Sequence, residues 1–233
     1  MKRILTLTAF FCLFLLIAEA SDRKFTFGMQ FSNGLSFMNS DNVEIDPTNV
    51  GYAFDYGLFM NYNFTENYSF GSGFIVDHIR AGRTNSPTLV NNFNAGNSYL
   101  LDNDYTPGSK ESLKYTYVSI PLTFKLTSNE VGYFKYFGEI GLVNSIRVRS
   151  RLNIEGTNIQ NENINKRDNL GDYRSGLYNA SLVVGGGFQY SLGANMSLLV
   201  RLSFQNGFIN VVSDGDDERT VLRIVKLTTG IIF

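Results

Sequence analysis

The stretch YAFDYGLFMNYNF, from Tyr52 to Phe64, places an apolar or aromatic side chain at every even-numbered position. Most of the odd-numbered positions between them carry small or polar residues, such as Ala53, Asp55 and Gly57. An alternation with a period of two residues is typical of a β-strand that has one apolar face. The stretch therefore predicts a strand with one apolar and one polar face.

The same alternation recurs along the chain, and it predicts eight strands in all. Helical periodicity is absent, and no later stretch has the roughly 18 continuous apolar residues of a transmembrane helix. The predicted strands span residues 25–32, 52–64, 68–77, 117–126, 134–143, 178–190, 197–205 and 225–233.

The apolar face of these strands suits lipid better than a soluble core. The face often begins or ends in Tyr or Phe, as in the aromatic girdles of membrane barrels, and the opposite face is rich in glycine. It is also too large for the exposed surface of a soluble protein. The sequence therefore predicts an all-β fold, an antiparallel up-and-down transmembrane β-barrel.

The connections between the strands alternate in length. Short connections follow the second, fourth and sixth strands, whereas residues 33–50, 81–112, 150–175 and 213–220 form long ones. Short periplasmic turns and long external loops are typical of outer-membrane barrels, which have an even number of strands. We therefore expect one eight-stranded barrel in the cell outer membrane.

The first twenty residues have the features of a secretory signal peptide. Lys2 and Arg3 precede an apolar run, which ends in the small-residue site Ala18-Glu19-Ala20. The apolar run of roughly 14 residues is short for a membrane-spanning helix. We predict a signal peptide at residues 1–20 and a barrel domain at residues 21–233.

The composition excludes several classes of function. The formal net charge is −1 and only 18% of the residues are charged, so a basic nucleic-acid-binding surface is not expected. One cysteine and one histidine are too few for a disulfide scaffold or a zinc site. We predict no cofactor and no bound metal.

Charged residues on the polar faces are expected to point into the lumen. A narrow barrel must pair such charges, because isolated buried ions are strongly unfavourable. The pattern predicts an internal ion-pair network that fills the barrel, with a polar conduit as the alternative. The predicted members are Asp55, Asp77, Lys125, Lys135, Glu139, Arg147, Arg201 and Lys226.

A second group of residues is predicted at the external rim. Arg147, Arg149 and Arg151 recur at every second position, which predicts that they share one strand face. Arg80 and Arg83 are expected at a similar height. Because arginine pairs well with phosphate, these five residues are candidate contacts for lipid phosphates.

Three weaker features leave alternatives open. His78 would need a Ser or carboxylate partner to act in a lipid-modifying enzyme, and Asp77 is expected to face the other side of the strand. The acidic group Asp214, Asp216, Asp217 and Glu218 favours a solvated loop tip over a calcium site. The polar loop 81–112 is the expected place for a partner to bind.

Several strand motifs resemble one family of outer-membrane proteins. The segment YVSIPLTFK, at residues 117–125, is similar to the Y-x-x-I-P-L strand of the PorT-like β-barrel family of Bacteroidota. The segments YFGEIGL at 136–142 and GGGFQY at 185–190 are similar to later strands of that family, as is Arg201-Leu202-Ser203-Phe204 with Gly207 and Asn210. The resemblance implies the fold rather than the type IX secretion or gliding role of the family's namesake.

The end of the chain and the loops suggest what the barrel does. Phe233 closes an alternating strand and resembles the terminal signal that the barrel-assembly machinery reads. We expect a non-enzymatic scaffold in the outer membrane, whose external loops serve adhesion or dock other envelope or secretion proteins. A narrow solute channel is the alternative, and a lipid-modifying enzyme is the less favoured one.

Overall fold

The computed structural model describes residues 24–40, 50–84, 110–157, 163–168, 176–193, 196–211 and 220–233. The predicted signal peptide, residues 1–20, lies outside the described residues. The described residues form nine strands: β1 (Phe25–Ser40), β2 (Gly51–Asn63), β3 (Tyr68–Thr84), β4 (Lys110–Thr127), β5 (Phe134–Thr157), β6 (Asn163–Asp168), β7 (Tyr178–Gly193), β8 (Met196–Gly207) and β9 (Thr220–Ile232).

Eight of these strands close into an antiparallel barrel. Around the wall the order is β1, β2, β3, β4, β5, β7, β8 and β9, and β9 pairs again with β1. The remaining strand, β6, pairs only with residues 152–157 of β5, so it lies beyond the rim and takes no part in the wall. The predicted eight-stranded up-and-down barrel is confirmed.

The barrel strands are longer at the external end than the sequence pattern predicts. β1 continues to Ser40, β3 to Thr84 and β5 to Thr157, while β4 starts at Lys110. Parts of the predicted loops 33–50, 81–112 and 150–175 are therefore strand. In β3, β4 and β5 the pattern missed them because it required an apolar outward face, whereas the outward residues there include Arg80, Lys114 and Arg151.

The polarity of the two faces inverts at the external end. The inward side chains there are apolar or aromatic and form one buried cluster, whereas outward neighbours such as Arg80 and Arg223 are charged. This is the pattern of a sheet whose outer face is in water. The members of this upper cluster are Met38, Ala53, Ile79, Ala81, Leu113, Tyr115, Tyr117, Val211, Leu222 and Ile224.

The lower part of the wall has the opposite pattern, with large apolar residues on the outside. Leu58, Phe70, Phe74 and Leu122 are each exposed outside the barrel, as expected for side chains in contact with lipid. Aromatic rings form part of a girdle at the periplasmic end, where Phe64 lies 6.1 Å from Phe124 between ring centroids. The outward apolar band therefore ends in an aromatic belt.

The strand register contains one bulge that changes which residues face inward. Tyr117 pairs with Arg147 and Thr116 pairs with Arg149, so Val148 is an extra residue in β5. Pro121 lacks the N–H that a ladder hydrogen bond needs, and the β3–β4 pairing is interrupted at Ile120 and Pro121, but Pro121 causes no such shift. It pairs with Val143 on β5, and the β3–β4 register is the same on both sides of it.

The described residues contain no helix with the length and hydropathy needed to cross a membrane.

Candidate functional site

The centre of the barrel holds a buried ion cluster around Lys226. Its Nζ atom lies 2.8 Å from Oδ2 of Asp55 and 2.5 Å from Oδ1 of Asp77. The three residues come from β9, β2 and β3, and all three are buried. The alternation of each strand points them inward, so the lysine reaches across the lumen to both carboxylates.

The two carboxylates face each other across neighbouring strands. Asp55 is the register partner of Asp77, an arrangement of like charges that is unfavourable without a cation. Neutral groups add hydrogen bonds to Asp55: Ser32 Oγ donates to Oδ1 at 2.8 Å, and Gln30 Nε2 donates to the same atom at 3.4 Å. Asp55 is therefore held by one ion pair and two hydrogen-bond donors.

A second ion pair lies beside the Lys226 cluster in the lumen. Arg201 Nη1 is 2.9 Å from Glu139 Oε1, and Nη2 donates to Gln30 Oε1 at 3.1 Å. Gln30 thereby links the second pair to Asp55 through its amide group. The two clusters form one continuous polar layer.

Lys125 completes the charges of this central layer. It is only 3% exposed, and its Nζ atom lies 4.5 Å from the centroid of the Phe137 ring, a cation–π contact. The layer thus contains three carboxylates and three cations, which are Asp55, Asp77, Glu139, Lys125, Arg201 and Lys226. Formal charge is balanced within this layer.

Apolar side chains lie on both sides of the charged layer. The upper cluster fills the external half, and a lower cluster of Phe59, Phe137, Leu199 and Ile232 fills the periplasmic end. Between them the polar side chains surround a cavity of about 60 Å³, room for a few water molecules. The described side chains therefore fill the lumen at three levels.

Two predicted members of the lumen network lie elsewhere. Lys135 is at the periplasmic mouth, where its side chain is 46% exposed and pairs with Glu130 at 3.3 Å. Lys135 is at an inward-facing position of β5, but the barrel wall ends too close to this lysine to cover its side chain. Arg147 is buried inside the barrel above the central layer, and its Nη1 atom lies 3.4 Å from Ser150 Oγ.

The predicted row of three arginines on one face is wrong. Arg147 points inward, whereas Arg149 and Arg151 are exposed on the outside. The extra residue Val148 in β5 inverts the alternation between them. Arg147 is thus not placed to contact lipid, which corrects one of the five predicted phosphate contacts.

The two other predicted contacts belong to β3. Arg80 is exposed on the outside of the barrel, opposite Lys114 of β4. Arg83 lies in the same strand opposite Glu111, and its side chain is outside the described residues. The predicted loop residues 85–109 and the acidic group at 214–218 also lie outside the described part of the chain.

His78 lies on the outer surface of β3 among aromatic rings. Its ring stacks on Phe54 at 4.6 Å between centroids and lies 6.0 Å from the ring of Tyr56. Its Nδ1 atom lies 3.3 Å from Thr116 Oγ1. The partners that the structure gives this imidazole are a threonine hydroxyl and two aromatic rings, while Asp77 points into the lumen.

The sequence interpretation missed the neutral residues that connect the charges. Gln30, Ser32 and Thr228 are buried and hydrogen-bond within the central layer. The alternation could have identified these residues, since each is a polar residue at an inward position of its strand. Their partners come from strands far apart in the chain, and the sequence pattern alone does not give those pairings.

Comparisons with known proteins agree with this architecture. Residues 20–213 match the model of the family described as "Outer membrane protein beta-barrel domain". No curated protein matches the chain in sequence.

Several solved structures are similar in outline. Neisserial surface protein A is 15% identical, with 88% of this chain and 95% of that chain covered and a TM-score of 0.41. The outer membrane protein OprG from Pseudomonas aeruginosa is 12% identical, with coverage of 89% and 93% and a TM-score of 0.43. The outer membrane enzyme PagL is 11% identical, with coverage of 87% and 97% and a TM-score of 0.36. At these identities no activity carries over to this chain.

The family match covers more than four-fifths of the sequence, and the described strands form the closed barrel that the family description names. This protein therefore belongs to the outer membrane protein beta-barrel domain family and resides in the outer membrane.

Proposed function

We propose that this protein is a non-enzymatic scaffold, which holds its external loops above the membrane for adhesion or for docking other envelope or secretion components. The observation that carries the proposal is the filled lumen. Apolar clusters lie above and below a charge-balanced layer, so side chains fill the interior of the barrel as they fill a protein core. An eight-stranded barrel is just wide enough for its own side chains to fill.

The filled lumen favours a scaffold over a solute channel. A conduit needs a continuous water path, and the lower cluster places Phe59, Phe137 and Leu199 across the periplasmic end. The external end is occupied by Tyr115 and Tyr117, whose tilted rings lie 5.7 Å apart between centroids. Any path would have to pass both apolar layers and the ion pairs between them.

The surroundings of His78 support the non-enzymatic part of the proposal. General acid–base chemistry needs a partner that can move a proton to or from the imidazole. The aromatic stacking and the threonine contact instead suit a side chain that anchors the barrel at the membrane surface.

Single-channel recording in planar bilayers tests the closed lumen. We expect no stable conductance from the mature barrel, and we expect leak only from the combined variant Phe59→Ala, Tyr117→Ala and Arg201→Ala, because it opens all three filled levels. Lys135→Ala is the matched control, since that lysine is exposed and pairs with Glu130 outside the core. Stable conductance of the unaltered protein would favour the channel instead.

Site-specific photo-crosslinking in cells tests the docking role. A crosslinking residue placed within residues 85–109 is expected to give adducts of defined mass with envelope proteins. The same residue at Glu66, in the short connection after β2, is the control for the periplasmic side. Equal adduct patterns from both positions, or none from the loop, would contradict loop-mediated docking.

We also propose that residues 1–20 direct export and that Phe233 is read during barrel assembly. The strand motifs at residues 117–125 and 136–142 support membership of the PorT-like group within the wider family. They do not by themselves support a role in secretion or gliding.

A further inference from the structure

Basic side chains gather on one part of the external rim. Arg80, Lys114, Arg149 and Arg151 lie on β3, β4 and β5, which are neighbours in the wall. The three arginines are exposed on the outer surface, and Lys114 is partly exposed beside them. We call these four residues the basic rim patch.

The strand register places the patch in two rows. Arg80 pairs with Lys114, and Lys114 pairs with Arg151, so these three cations form one row across the wall. Arg149 lies in the row below, opposite Thr116, which itself faces His78. Neighbouring strands are about 4.8 Å apart, so the row concentrates like charges within roughly 10 Å.

Like charges on adjacent strands repel, so the exposed guanidinium groups of Arg80, Arg149 and Arg151 favour the approach of an anion. Within the described residues, no salt bridge is formed by Arg80, Arg149 or Arg151. Glu155 lies four residues beyond Arg151 on β5, about 13 Å further along the strand. The three guanidinium groups are thus available to an external ligand.

The height of the patch matches the surface of the outer leaflet. Arg80 is twelve residues above Tyr68, whose ring stacks on Phe64 in the periplasmic girdle. At about 3.3 Å per residue and a strand tilt of about 40°, this separation is roughly 30 Å along the membrane normal. The outward apolar band of such barrels is about 25 Å tall, so the patch lies just above the hydrocarbon.

The wall below the patch carries exposed apolar side chains on β5. Ile146 and Val148 of β5 are exposed directly beneath Arg149 and Arg151. A ligand that binds the patch and has acyl chains can therefore lay those chains on the apolar wall.

The opposite side of the barrel lacks this concentration of charge in the part that the structure describes. β9 is four strands from β4 in either direction around the wall, and its outward cation there is Arg223. That guanidinium is engaged, because its Nε atom donates to Asn206 Oδ1 at 3.0 Å. The basic rim patch is therefore a local feature rather than a uniform ring.

We propose that the basic rim patch binds the phosphate groups of a phosphorylated glycolipid in the outer leaflet. Arginine forks form paired hydrogen bonds with phosphate oxygens, and a row of them fits a headgroup with more than one phosphate. This inference is independent of the proposed docking by the loops, since it concerns only the wall of the barrel.

Binding of a defined lipid to the intact barrel tests the proposal. The probes are diphosphorylated lipid A and the same lipid without phosphates, each added to the barrel in detergent micelles and counted by native mass spectrometry. The test variant carries Arg80→Gln, Arg149→Gln and Arg151→Gln. The matched control is Arg223→Gln on the opposite side, and the heat-dependent band shift on a gel reports that each variant is folded.

We expect the triple variant to bind diphosphorylated lipid A at least tenfold more weakly, with a less than twofold change for Arg223→Gln. The phosphate-free lipid is expected to bind the original and triple-variant barrels alike. Equal affinity of all three proteins for the phosphorylated lipid would overturn the proposal. Displacement of the lipid by an equal concentration of inorganic pyrophosphate would overturn the assignment to a lipid and favour a free phosphate.

Discussion

The Nζ atom of Lys226 lies 2.5 Å from Oδ1 of Asp77, although β9 and β3 are separated in the wall by β1 and β2. The contact therefore crosses the lumen rather than following the sheet. It also brings Lys226 within 2.8 Å of Asp55, so one ammonium group serves two carboxylates. Loss of Lys226 would therefore remove the ion-pair partner of two buried carboxylates.

Replacing Lys226 with methionine is expected to destabilise the barrel by about 3–5 kcal/mol, because it leaves two buried carboxylates without their cation. Urea unfolding in micelles, followed by circular dichroism and the gel band shift, measures the change, since the sequence has no Trp for fluorescence. Lys135→Met is the control and is expected to change stability by less than about 1 kcal/mol, because its pair with Glu130 is exposed. Equal losses in the two variants would contradict the prediction.

Neutralising the whole cluster is expected to restore much of the lost stability. In the triple variant Lys226→Met, Asp55→Asn and Asp77→Asn no net charge is buried at this point, and such replacements are often close to neutral. The measurement is the same urea titration, with the single variant Lys226→Met as the reference. A triple variant less stable than that reference would show that the carboxylates contribute in another way.

The lower apolar cluster is expected to behave as a packed core. Leu199→Ala should destabilise the barrel by about 2–5 kcal/mol, because Leu199 is 1% exposed and its removal leaves a cavity. Leu198→Ala is the matched control on the next residue, which faces outward where lipid chains can fill the space. The prediction fails if truncation at the lipid-facing position is the more damaging of the two.

The bulge in β5 gives a test by deletion. Removing Val148 is expected to leave the barrel folded and to change its stability by less than about 1 kcal/mol, because Arg147 and Arg149 already pair with consecutive residues of β4. Deleting Ile146 instead moves Arg147 to an outward position facing lipid, which we expect to prevent folding. Folding is read from the gel band shift, and identical behaviour of the two deletions would argue against the observed register.

The role of Phe233 in assembly is separable from its place in the wall. Its backbone N–H donates to the carbonyl of Phe27 at 2.9 Å, a bond that Phe233→Ala retains. We expect this variant to reach the outer membrane of cells in reduced amount while keeping its stability in micelles. Reduced stability in micelles together with normal insertion in cells would assign the ring to packing instead.

The alternation of residues such as those from Tyr52 to Phe64 was sufficient to predict the barrel and its strand number, because lipid and lumen impose opposite demands on the two faces. It failed at Ile79 and Leu113, where water replaces lipid and the inward face becomes the apolar one. The predicted strands therefore stopped too early at the external end.

The site was predicted in part for similar reasons. Asp55, Asp77 and Lys226 occupy inward positions that the alternation identifies. Because buried charges need partners of opposite charge, their pairing could be predicted. Arg147 and Arg149 could not be separated from sequence, since a single extra residue in β5 has no compositional signature. Lys135 has the correct parity, but its exposure depends on where the wall ends.

The position of Lys226 on β9 has a consequence for how the wall closes. While the β1–β9 seam is open, the two carboxylates lie near one margin of the curved sheet and the ammonium lies on the other. Opposite charges then draw the two margins together, and the contact forms only in the correct alignment. A slip of two residues at the seam would move Lys226 by about 7 Å. The same ion pairs therefore favour the correct register between β1 and β9 when the barrel closes.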